Sequence, residues 1–191
     1  MKIYPKLNLL WIVSILSTLI SAAAALFGGT MEASAAVNVL ALAVYAVTLV
    51  VLYKLREQSA RFWRAFAYQL ATLIFSVLAV VSALFAAIEM MLLFSVMLLW
   101  VAALFSLFSN YQLYWALDER IIPCGYQYPA RRIRWCFYVP LCGGLCVTLL
   151  QLGQLGLLAA AVQLISQIVP LVLFWQYNQA VRQREDDPLI L

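Results

Sequence analysis

Of the 191 residues, 66% are hydrophobic and only 10% charged, with a net charge of +4 and a mean hydropathy of +0.97. An ordinary soluble domain is about a quarter charged, so a water-facing globule is excluded and the solvent must be lipid. The chain has no histidine, which excludes HExxH metalloproteases and serine-histidine rhomboid-type proteases, and its four cysteines are too few and too scattered for a disulfide framework.

A helix rising about 1.5 Å per residue needs roughly 20 apolar residues to cross about 30 Å of hydrocarbon. The first such run predicts a span at about 9–27, preceded by Lys2 and Lys6. Those lysines raise the question of a signal peptide; the run is long for one, and the span is read as retained. The stretch GGTMEAS supplies a turn before a second span at about 36–53. From Phe62 to Leu117 the only charged residues are Arg64 and Glu89. As one helix this block would be about 80 Å long, so it must fold back, most naturally at Glu89. That predicts spans at about 65–87 and 91–113, followed by a polar segment, 114–134. The block from Trp135 to Ala180 is also too long and should turn at QLGQLG, giving spans at about 135–152 and 157–178 and a tail at 182–191. The expected fold is all-α: a polytopic transmembrane helical bundle of six spans in three hairpins.

Orientation follows from the basic residues. With the N-terminus in the cytoplasm, all twelve fall on the inner side and the outer turns hold only Glu32 and Glu89. This N-in, C-in arrangement makes 114–134 a cytoplasmic loop and 182–191 a cytoplasmic tail. The positive charge then reads as attraction to an anionic inner leaflet; no nucleic-acid partner is expected. Arg131, Arg132, Arg134 and Trp135 are the expected membrane-surface residues, with Tyr126 and Tyr128 at the same interface. Pro123, Gly125 and Pro129 argue for a compact turn.

Metal and thiol chemistry find little support. Cys124 and Cys136 are not part of a CxxC pair. Juxtamembrane Cys136 would be a palmitoylation candidate in a eukaryote. Met31, Met90, Met91 and Met97 with Cys142 and Cys146 are soft ligands that suit Cu(I), but the cysteines approach from the other side of the membrane and methionine also fills apolar packing. No catalytic residue, metal site or cofactor is expected. The tail sequence REDDPLIL matches an acidic dileucine sorting pattern and reads more simply as a solvated terminus.

The spans carry neutral polar residues in stripes. Gln163, Gln167, Pro170, Phe174 and Asn178 recur every three or four residues, with Pro170 expected to kink the helix. Gln69, Thr72 and Ser76 repeat similarly in the third span, and Ser14, Ser17 and Ser21 in the first. Small polar residues in membrane helices usually mediate helix packing. A glutamine amide needs partners that leucine cannot supply, so Gln163, Gln167, Asn178, Gln69 and Gln151 are the candidate ligand-binding residues.

Without intramembrane charge, proton- or sodium-driven transport is disfavoured. Two functions remain. One is handling of a neutral or amphipathic small solute, as a facilitator or as the membrane-embedded binding subunit of a transporter. The other is a non-transporting accessory or scaffold subunit packing against partner membrane helices or a second copy. In size, six spans and N-in, C-in topology the chain is similar in outline to the substrate-binding components of energy-coupling-factor vitamin transporters; its short first outer turn departs from their capping loop. An enzyme is not expected. Compact connections and the lack of an N-x-[ST] acceptor site suit a bacterial cytoplasmic (inner) membrane; in a eukaryote the tail would point to endosomes or lysosomes.

Overall fold

The computed structural model describes residues 3–27, 31–84 and 89–186. Among these it is helical, with no strand: α1 (Tyr4–Phe27), α2 (Met31–Leu55), α3 (Ala60–Leu84), α4 (Glu89–Glu119), α5 (Trp135–Leu152) and α6 (Gly156–Glu185), plus single 3-10 turns at Arg56–Gln58 and Arg132–Arg134. Among the described residues, four segments are long and apolar enough to cross a membrane: Ala60–Ser82, Leu93–Glu119, Arg132–Leu152 and Gly156–Glu185. The chain is an integral membrane protein.

Several boundaries differ from the sequence expectation. Helix α2 starts at Met31, so the second half of GGTMEAS is helical; residues 28–30 lie outside the described residues. The turn expected at Glu89 falls at the first residue of α4, with 85–88 likewise outside. Helix α4 runs on to Glu119, into the expected loop, and α6 to Glu185, into the expected tail. At about 45 Å each, these two helices outreach the hydrocarbon. Their polar last turns find partners there, such as the Arg182 Nε–Asp186 Oδ2 pair at 3.5 Å. The dileucine pattern ends beyond the described residues. The turn at 153–155 uses its glycines differently from the expectation: Gly153 keeps φ −81°, while Gln154 takes the left-handed φ of 58°.

The chain divides into two compact units, one formed by the residues up to Val51 with those from Leu117 on, the other by Leu52–Ala116. In the first, α6 packs on both α5 and α1. Lipid tails are as apolar as leucine, so helix association there depends on close packing and polar ties rather than on hydrophobic burial. The α5–α6 contact is close at Gly143, where an added Cβ would collide with the Cβ of Ser166. Polar ties hold α1 and α5 to α6: Trp11 Nε1 donates to the Leu171 carbonyl at 2.9 Å, Asn178 Nδ2 to Leu7 at 3.3 Å and Cys136 Sγ to Pro170 at 3.4 Å. Glu185 at the end of α6 accepts the Ile3 and Tyr4 N–H groups at 2.6 and 3.1 Å. It thereby caps amide groups that the start of α1 leaves without intrahelical partners.

In the second unit α3 and α4 are joined by serines. Ser95 Oγ donates to Ala79 at 2.9 Å and Ser109 Oγ to Ala65 at 2.8 Å. Phe75 and Phe105 stack between them at 5.4 Å. Arg56 lies 3.6 Å over the Tyr53 ring, and Arg61 Nη1 donates to Gln112 Oε1 at 3.3 Å.

Replacing Gly143 with alanine should overpack the α5–α6 contact and cost about 1–3 kcal/mol. Thermal unfolding in mild detergent should show a lower midpoint, part of which returns when Ser166→Gly is added. An unchanged midpoint for Gly143→Ala would refute the close contact.

Candidate functional site

The segment joining α4 to α5 is folded onto the last turns of α6. Buried Asp118 accepts the Arg131 backbone N–H at 2.6 Å, Arg134 Nε at 2.7 Å and Arg134 Nη2 at 2.6 Å. Both Arg134 nitrogens converge on Oδ2 and the Arg131 N–H takes Oδ1, and such charge-assisted hydrogen bonds are among the stronger polar interactions. Asp118 also holds Arg131 at φ 65°, a left-handed conformation costing a non-glycine residue about 1–2 kcal/mol. Gly125 has the same φ, and a Cβ there would come 3.3 Å from the Arg184 guanidinium. Arg184 Nε in turn donates to the Cys124 carbonyl at 3.2 Å.

Three tyrosines fill the space beneath. Tyr177 is fully buried and its hydroxyl donates to the Leu117 carbonyl at 2.9 Å, in the last turn of α4. Tyr126 and Tyr128 meet its ring edge-on at 5.9 and 5.4 Å, and the Tyr128 hydroxyl donates to Leu173 at 3.2 Å. Both were expected at the membrane surface; at 8% exposed, both are turned inward instead. The rings gain more by packing on Tyr177 than by lying among headgroups. Burial pushes the Tyr126 phenol up to about 12, with Cys124 adding to the rise and Arg120 opposing it. Burial raises Tyr128 as well, Cys136 adding and Arg132 opposing. Both phenols therefore stay protonated at neutral pH.

Beside this cluster a groove of about 540 Å³ opens between residues 127–132 and α6. One wall is an amide face on α6, Gln176, Gln179 and Gln183, placed together by their i, i+3, i+7 spacing. Trp175 flanks it on the same helix; Gln127, Tyr128 and Arg132 form the opposite side. Arg132 and Trp175 are exposed. The Oε1 atom of Gln176 is buried with no hydrogen-bond partner. A buried amide oxygen left in that state calls for a donor that the described residues do not supply. The volume is in the range that small ligands occupy. Neutral amides offering both donors and acceptors, one guanidinium and one indole can bind a polar, uncharged or anionic group attached to an apolar one.

The residues singled out from the sequence are distributed differently. Asn178 is buried between α6 and α1; its Nδ2 holds Leu7 and its Oδ1 has no partner. Gln167 is half-buried and Gln163 exposed on the same helix, so the stripe is covered at one end and open at the other. Gln151 is exposed in the last turn of α5. Gln69 is buried on α3, in the other unit. Of the surface set, Arg131, Arg132 and Trp135 are exposed, whereas Arg134 is drawn onto Asp118. The groove residues Gln127, Gln176, Gln179, Gln183 and Trp175 were missed. Their signal was present in WQYNQAVRQ, where three glutamines keep helical spacing one face away from Asn178.

Asp118→Ala should cost about 2 kcal/mol, since it removes charge-assisted hydrogen bonds and leaves Arg131 strained, while Arg134 can turn partly to water. The measurable outcome is a lower unfolding midpoint together with new proteolytic cleavage between Arg120 and Arg132. Unaltered protection of that segment would show that Asp118 does not anchor it.

No protein-family model, no curated protein and no solved structure matches this chain.

Proposed function

We propose that this chain is a six-span, N-in, C-in protein of a bacterial cytoplasmic membrane that holds an amphipathic small molecule at the inner water–lipid boundary, without catalysing a reaction on it. The observation that carries this reading is the groove of about 540 Å³ beside α6, with its amide wall, Arg132 and Trp175. A polar head would meet the amides and Arg132, and an apolar portion would lie along Trp175, which is suited to the interface. The distribution of basic residues supports the orientation. Under that orientation the groove opens toward the cytoplasmic leaflet.

The scaffold reading draws on a separate observation: only 6% of the apolar window Arg132–Leu152 is buried within the chain. A span so little covered has ample surface for partner helices.

Native mass spectrometry of the gently solubilised protein separates these readings. Solute binding predicts a reproducible small adduct, lost in the Gln176→Leu, Gln179→Leu variant and kept in the Gln163→Leu, Gln167→Leu variant. Loss in the second variant alone would move the site to the outer half of α6. A stoichiometric protein partner without a small adduct would favour the scaffold, and a bare monomer would remove the support for solute binding.

Topology has its own test. In a variant retaining only Cys124 (Cys136, Cys142 and Cys146 changed to alanine), a membrane-impermeant maleimide should react in inside-out vesicles and not in intact cells. Labelling from the outside would reverse the orientation.

A further inference from the structure

We propose that the groove beside α6 is a binding site for an anionic phospholipid with a polyol headgroup, with Arg132 taking the phosphodiester and the α6 amides taking the hydroxyls. This rests on the reading of the groove as an amphipathic-solute site and names its ligand class.

The cation comes first. Around this end of α6, Arg134 is paired with Asp118, Arg182 with Asp186 and Arg184 with the Cys124 carbonyl, while exposed Arg131 lies outside the groove lining. Arg132 is exposed at the groove, and among the described residues no carboxylate forms an ion pair with it. Among the described residues no acidic side chain lines the groove. An anion approaching Arg132 therefore meets an attractive site, and a planar guanidinium matches phosphate oxygens through parallel N–H donors.

The amides set the rest of the head. Gln176, Gln179 and Gln183 line one wall of the groove with their side-chain amides, the Oε1 of Gln176 itself being buried. A hydroxyl both donates and accepts, so vicinal hydroxyls can pair with amides that a methylated ammonium could not satisfy. A choline head would also bring its cation close to Arg132. The aromatic alternative for such a cation is incomplete, because Tyr128 is packed against Tyr177 and only Trp175 has an open ring. Trp175 is better placed against the glycerol backbone and first acyl carbons, where an indole suits the boundary.

The shared chemistry is a polyol phosphodiester, and the lipid and a soluble phosphate ester are its two sources. Full-length protein in nanodiscs would be equilibrated with equal phosphatidylglycerol and phosphatidylcholine, then released for native mass spectrometry. Parallel samples in detergent would receive glycerol 3-phosphate alone. The expected result is retention of phosphatidylglycerol over phosphatidylcholine by about fivefold or more. Arg132→Gln should reduce this to parity, with partial recovery in Arg132→Lys. Gln176→Leu should weaken phosphatidylglycerol while leaving phosphatidic acid, which has no polyol, unaffected. Because Arg132 is exposed, its variants should unfold at the wild-type temperature, which excludes misfolding as the cause.

Equal retention of both lipids, insensitive to Arg132, would overturn the proposal. If the adduct were still lost in Gln176→Leu, Gln179→Leu, the groove reading would survive. No adduct of either lipid or of glycerol 3-phosphate under any condition would overturn both. Binding of glycerol 3-phosphate alone, with the same dependence on Arg132, would replace the lipid by a soluble ester and overturn the membrane source.

Discussion

The first unit depends on what the cytoplasmic half of α6 does with its polar atoms. In lipid an apolar contact between helices is no better than one with the acyl chains, so directional ties must decide which helices stay together. Within about one turn of Pro170, the carbonyls of Pro170, Leu171 and Leu173 each take a side-chain donor, from α5, from α1 and from the α4–α5 segment respectively. A carbonyl has two lone pairs and can accept a second donor beside its helical bond. Further along, Tyr177, Asn178, Arg184 and Glu185 reach outward to Leu117, Leu7, Cys124 and the start of α1. One helix thus serves as acceptor and donor for four other elements: α1, the last turn of α4, the α4–α5 segment and α5.

This arrangement explains why a groove forms where it does. The faces of α6 turned to α1, α5 and the tyrosine cluster are occupied by these ties. Gln176, Gln179 and Gln183 lie on the remaining face, beside a segment held in shape by Asp118. Fixing Arg131 in a left-handed turn brings the 3-10 turn Arg132–Arg134 to the groove's edge, with Arg134 drawn inward and Arg132 left outward. The two arginines differ in role because of one carboxylate, not because of their side chains.

The second unit uses simpler means. Buried serines of α4 donate to α3 carbonyls, and an aromatic stack fills the contact. A serine there gives a short interhelical bond and, being small, lets the backbones approach. Thr72 and Ser82 instead bond back to carbonyls of their own helix. A polar stripe alone does not identify the partner of each hydroxyl.

The sequence by itself determined the helical class, the membrane as solvent and the approximate helices, because apolar run length and charge scarcity are one-dimensional properties. It also placed a polar connection before α5 and the α5–α6 turn, although α4 runs on to Glu119 where a loop was expected from 114. It did not reveal that Tyr126 and Tyr128 turn inward, that Gln154 rather than a glycine adopts the left-handed conformation, or that Glu185 caps α1. Those outcomes join residues up to 182 positions apart. The candidate site divides the same way. Helical spacing placed glutamines on faces of α6, but both stripes carry that spacing. Only tertiary packing decided between them: α1 covers the one at Asn178, while the neighbouring face meets the Asp118-anchored segment and lines the groove.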